Sequence, residues 1–174
     1  DPADGQGWDL LATSRFLDDR PSEALDAWNR IGRPTVDLVR VTGLQRTRHA
    51  AVVALVNVPP RQMLTSNMYR RAARRLDELP SATLTRLTFR PVGEGLAEIE
   101  AAVVESPLVP RGVVPLATAA VRAWIQREMR LDVAAPAGSG ELWTFAYRWW
   151  EARPRITFSL GLPVTPRLPG VVTI

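Results

Sequence analysis

Cysteine is missing from this chain, lysine is missing with it, and histidine occurs once. Without cysteine there is neither a disulfide framework nor a thiolate metal site. His49 stands alone in an Ala/Val-rich run, so no histidine cluster completes a metal or acid–base site. No serine lies in a Gly-x-Ser-x-Gly elbow. Gly138-Ser139-Gly140 precedes a strand, which makes it a turn and not a phosphate cradle. Asp18-Asp19 reads as the solvated end of a helix. These absences leave no catalytic residue, metal or cofactor to nominate, and the expectation is a protein that is not an enzyme. No apolar run reaches the roughly eighteen residues of a membrane-spanning helix, and no signal peptide is visible. The chain starts at Asp1 without methionine, and Gly170–Ile174 reads as a strand just begun, so a chain cut at both ends is expected.

What is present points to a folded protein of many short elements: 46% hydrophobic and 23% charged residues, with 15 prolines and 11 glycines. Its 174 residues allow one domain with a fragment of another, or two small ones. The pI of 10.8 suggests nucleic acid at first. However, the net charge is only +4, with 18 acidic residues interspersed among 22 arginines. Arginine without lysine, beside abundant alanine, is what GC-rich codon usage produces. No basic stripe with interleaved aromatics tracks a phosphate backbone, so no nucleic-acid partner is expected.

Residues 1–34 read as a helical hairpin. Trp8, Leu11, Phe16 and Leu17 form a loose apolar stripe; Ala24, Leu25, Trp28 and Ile31 follow the i, i+3, i+4, i+7 rule. Pro21 suits the first turn of the second helix, and Gly32 and Pro34 stop it. Ser22–Trp28 resembles a tetratricopeptide-type (TPR-like) helix. Next comes a strand over 36–43. Thr47 is the expected cap of a helix through Val56, and Thr65 or Ser66 the cap of a second helix to Leu79 with Met68, Ala72, Leu76 and Leu79 on one face. Arg70, Arg71, Arg74 and Arg75 lie elsewhere on it, reading as a solvated face or as a dock for anionic lipid or an acidic partner. Thr83–Arg90 and Ala97–Glu105 form a hairpin with Leu87, Phe89, Ile99, Ala101 and Val103 on one side. Arg86, Arg90, Glu98 and Glu100 lie on the other.

Residues 35–107 thus give the order β-α-α-β-β, and three motifs punctuate it: Gly43-Leu44-Gln45-Arg46 after the first strand, Arg75-Leu76 near the end of the second helix, and Val103-Val104-Glu105-Ser106-Pro107 closing the last strand. In this the segment resembles a POTRA (polypeptide-transport-associated) domain of BamA-like outer-membrane assembly factors. It departs where Asp77-Glu78-Leu79-Pro80 replaces the glycine that usually ends the second helix.

Residues 108–128 read as a linker, helical from Leu116 to Arg127. From 129 to 174 the period becomes two: Trp143, Phe145, Tyr147 and Trp149 alternate with smaller or polar residues, as do Ile156, Phe158, Leu160 and Leu162. If Glu151–Pro154 is the hairpin loop, Tyr147 faces Phe158, Phe145 faces Leu160 and Trp143 faces Leu162. A soluble sheet with one buried face has the same alternation. After a POTRA-like unit, the resemblance implies instead the first strands of an outer-membrane β-barrel, with Trp143, Phe145, Tyr147, Trp149, Ile156, Phe158 and Leu160 facing lipid.

The fold class expected is therefore α+β: a helical hairpin, a POTRA-like domain, and antiparallel strands that begin a barrel. The resemblance implies an outer-membrane protein assembly or translocation factor with its N-terminal part in the periplasm of a Gram-negative bacterium. Its implied partners are unfolded outer-membrane or secreted client polypeptides, other envelope assembly proteins, and the membrane itself. Clients are expected to add to a free sheet edge by β-augmentation at Thr83, Leu84, Thr85, Arg86 and Leu87. A two-partner or patatin-type secretion pore and a soluble periplasmic interaction scaffold are the alternatives.

Overall fold

The computed structural model describes residues 4–93, 95–107, 121, 123–125, 127–149, 153–164 and 170–173; the expected linker helix falls mostly outside them. Helices α1 (Gly5–Leu17) and α2 (Pro21–Asn29) form the expected hairpin. Strand β1 (Thr35–Thr42), helices α3 (His49–Val56) and α4 (Ser66–Asp77), and strands β2 (Ala82–Val92) and β3 (Leu96–Glu105) then follow. The four remaining strands are β4 (Glu128–Ala134), β5 (Leu142–Arg148), β6 (Arg155–Val164) and β7 (Gly170–Thr173). None of the described helices is long and apolar enough to cross a membrane, which says nothing of strands.

Local chemistry sets the helix ends. The Asp4 carboxylate accepts the Gly7 N–H at 2.9 Å at the start of α1, and the Thr65 hydroxyl accepts the Met68 N–H at 3.1 Å at the start of α4. Thr47 is not the cap of α3: Arg48 holds that position, and the buried Thr47 hydroxyl lies 3.3 Å from that of Ser81. In α1 the packed residues are Trp8, Ala12 and Phe16, four apart, while Leu11 and Leu17 face outward. The loose stripe read from the sequence included two residues of the wrong face.

The first sheet has the order β1-β3-β2, with β1 parallel and β2 antiparallel to the central β3. Alternation along β3 buries Ala97, Ile99, Ala101 and Val103 to within 1% of full burial, against a layer containing α2, α3 and α4. The opposite face carries ion pairs in which Glu98 sits between Arg90 at 2.9 Å and Arg40 at 2.6 Å. The α1–α2 hairpin shares this core. Phe89 on β2 packs against Phe16 of α1 (5.2 Å between centroids), Trp28 of α2 (6.3 Å) and Tyr69 of α4 (5.5 Å). Burial of a side chain of this size contributes about 1.5–3 kcal/mol, so the cluster fastens the hairpin to the end of β2.

The second sheet is a meander, β4-β5-β6-β7, antiparallel throughout. Tyr147 pairs with Ile156, Phe145 with Phe158 and Trp143 with Leu160, two residues away from the register expected from a short loop. A two-residue slip keeps every side chain on its own face, so alternation alone cannot detect it. The described pairing ends at Arg148 opposite Arg155, and the Trp149 N–H donates at 2.9 Å to the Arg127 carbonyl, prolonging the pairing with the chain before β4.

Candidate functional site

The residues nominated for client binding lie on β2, an edge strand. Which main-chain groups face the open side follows from geometry. A Cβ on Gly43 would collide with the Val103 carbonyl oxygen, so the main chain of Val103 points toward β1. Its β2 partner Thr85 is therefore in a pair that exchanges no hydrogen bonds, and Thr85 presents its N–H and C=O outward. Leu87 and Phe89, opposite Ala101 and Ile99, share that phase. Pro91 shares it too and has no N–H to offer, as suits an edge. The other edge is less free: at its start Val36 exchanges hydrogen bonds with Arg61 and Gln62, both at 2.8 Å.

Side chains on β2 divide accordingly. Leu84 is 65% exposed beside Val104, which pairs with it on the outer face. Thr83 and Arg86 are exposed, Thr85 is half-buried with its hydroxyl on the Asp77 carboxylate, and Leu87 is buried in the core. The sequence reading missed Tyr69. Its hydroxyl donates at 2.7 Å to the Leu87 carbonyl, one of the outward-facing acceptors. Burial, then the nearby Asp19, push the Tyr69 hydroxyl pKa above its ordinary value, with Arg86 opposing. The spacing Tyr69, Ala72, Leu76 marks it as a core position of α4, which was the available signal. Beside this half of the edge lies a cavity of about 370 Å³, walled by Phe16, Asp19 and Pro21 on one side and Arg86–Phe89 on the other.

Two of the three motifs, Gly43–Arg46 and Val103–Pro107, meet in space at the far end of the sheet. The Glu105 carboxylate, 1% exposed, accepts the N–H groups of Arg46 (3.0 Å) and Thr47 (2.8 Å) and lies 3.5 Å from the Arg46 guanidinium. Gly43, at φ 84°, makes the turn that brings Arg46 there. Burial pushes the Glu105 carboxyl up, and the hydrogen bonds from Thr47, Gln45 and Arg46 outweigh it, leaving the pKa below the ordinary value. The β4–β5 turn docks on this end. Arg48 N–H donates to the Gly138 carbonyl (2.9 Å) and Ser81 N–H to that of Gly140 (3.3 Å). The buried Glu141 carboxylate gathers the N–H groups of Ala137 and Ser139 and the Ser139 hydroxyl, so the turn is held rigid from within.

Beyond the turn the second sheet shows two unlike faces, both open. Met129, Leu131, Phe145, Tyr147, Trp149, Ile156 and Phe158 are exposed; Trp143 and Leu160 are half-buried on the same side. Trp143 and Phe145 both pack on Phe158, at 5.7 and 5.0 Å. The other face carries Glu128–Arg148 and Arg130–Asp132 pairs, with Thr144 donating to Asp132 at 2.6 Å. A soluble sheet would bury the apolar side; among the described residues nothing covers it.

CdiB from Acinetobacter baumannii superimposes on 76% of this chain with a TM-score of 0.50, at 7% identity and over 26% of its own length. The fold is shared with CdiB. BamA from Haemophilus ducreyi lacking POTRA domains 1–3 is similar over 74% of this chain and 24% of its own (TM-score 0.47, 12% identity). CdiB from Escherichia coli is similar over 76% and 26% (TM-score 0.45, 13% identity). The chain thus spans about a quarter of the length of the CdiB and BamA structures it matches. No protein-family model and no curated protein matches its sequence.

Proposed function

We propose that this chain is the base of an outer-membrane assembly or translocation factor. The POTRA-like unit of β1–α3–α4–β2–β3 receives unfolded client polypeptides in the periplasm. The second sheet begins the membrane barrel, its apolar face toward lipid and its charged-pair face toward a lumen. The observation that carries the reading is the pairing of an exposed aromatic sheet face with a turn locked onto a unit whose edge strand is open. Client capture by β-augmentation uses the outward N–H and C=O groups of β2, which demand extended backbone and little sequence. The role involves no covalent chemistry.

Two measurements test it. In vesicles containing brominated lipid, Trp143 and Trp149 fluorescence is expected to be quenched; full emission would remove the membrane from the reading. Thr85→Pro deletes an outward donor without touching the β2–β3 ladder. Binding of extended client peptide is expected to fall several-fold with the thermal midpoint nearly unchanged, and undiminished binding would count against the edge. A two-partner or patatin-type secretion pore has the same two parts and differs in serving one dedicated client. The fold shared with CdiB favours keeping it as the second reading, separable by testing whether unrelated client peptides compete.

A further inference from the structure

We infer that Tyr69 and the α1–α2 turn stop strand addition along β2 at Leu87, so that the edge accepts a short extended segment in one register. The inference rests on the proposed β2 edge and adds a limit to it. An added strand lies about 4.8 Å from its neighbour and forms a two-bond exchange at every second residue. On β2 those exchange positions are Thr85, Leu87 and Phe89. At Leu87 the carbonyl already takes the Tyr69 hydroxyl at 2.7 Å, where an incoming N–H would otherwise sit. Alongside Leu87 and Phe89 the turn residues Asp19 and Pro21, with Phe16, form the far wall of the cavity. Past them Pro91 offers no donor. Thr85 is the one exchange position of the three not lined by that cavity, and beyond it the exposed Leu84 and Thr83 continue toward the start of the strand. A strand pairing there has its register fixed by where it meets the phenol.

The test is residue-resolved amide hydrogen exchange on the 174-residue chain in detergent micelles, with and without an eight-residue alternating Thr/Val peptide bearing an N-terminal fluorescein, whose anisotropy gives the affinity. In the wild type the peptide is expected to protect the Thr85 N–H and leave those of Leu87 and Phe89 unprotected. Tyr69→Phe keeps the buried ring and removes the hydroxyl, and retention of fold is checked by the Trp28 emission. In that variant protection is expected to spread to the Leu87 N–H, with Phe89 still screened by the α1–α2 turn, and affinity to rise about five-fold, the worth of one hydrogen bond. Equal protection of all three amides in the wild type, or no change in Tyr69→Phe, overturns the stop while leaving edge binding intact. Absence of peptide protection anywhere on β2 in both proteins overturns the edge reading and the stop together.

Discussion

Glu105→Ala isolates the cluster in which the two sequence motifs meet. The carboxylate is 1% exposed and satisfies two backbone N–H groups besides facing the Arg46 guanidinium, itself 24% exposed. Removing one partner of a buried ion pair costs about 3–5 kcal/mol, because the remaining charge and donors are left without an acceptor. The partial exposure of Arg46 lets water reach it, which places the expected loss near the lower end, about 3 kcal/mol. With a urea m-value of about 2 kcal/mol/M, the unfolding midpoint followed by tryptophan emission drops by about 1.5 M. The pH profile supplies an independent reading. The folded pKa of Glu105 lies below its unfolded value of about 4.3. Its contribution is therefore complete above that pH and disappears as the pH falls through the folded pKa. Glu105→Gln should be less stable than wild type at pH 7 and should lose less stability on acidification. Glu98 and Glu141, shifted in the same direction, keep the acid limb from flattening entirely. A loss under about 1 kcal/mol in Glu105→Ala, or an unchanged acid limb in Glu105→Gln, would refute the idea that this carboxylate ties β3 to the turn after β1.

Phe89→Ala removes the ring on which Phe16, Trp28 and Tyr69 converge and is expected to cost about 3–5 kcal/mol in thermal unfolding; a cost below 1.5 would mean the hairpin is fastened elsewhere. At Gly140, φ is +85° and a Cβ would stand 2.6 Å from Leu79 Cδ1. Gly140→Val should therefore strain the turn by about 1–2 kcal/mol or more. Faster exchange of the Ser81 and Arg48 amides, with the β2–β3 ladder unaffected, is the expected signature.

The element order and both sheet faces were legible because they rest on short-range signals. Alternation placed Ile99, Ala101 and Val103 inside, and Phe145, Tyr147 and Phe158 on one side of the second sheet. Arg90 and Glu98, placed on the opposite side of the hairpin, pair there across the strands. What escaped depends on contacts between residues distant in the chain. Thr47 has the composition of a helix cap, yet tertiary packing turns its hydroxyl to Ser81. The role of Tyr69 depends on a carbonyl eighteen positions onward. Nothing in its neighbourhood in the chain marks Glu141 as buried; its burial follows from the turn it folds around. The β5–β6 register failed for the different reason that pairings two residues apart are equivalent in hydrophobic pattern.

The aromatic cluster around Phe89 also decides what can be cut from this protein. A boundary after residue 34, where composition and the strand pattern both invite one, would strip Phe16 and Trp28 from the far side of Phe89 and turn a sealed seam into a sticky surface beside the open strand. A portable version has to begin at the α1 cap, Asp4. Grafting experiments that start at the first strand would then report the adhesiveness of a torn edge and not the selectivity of the intact one.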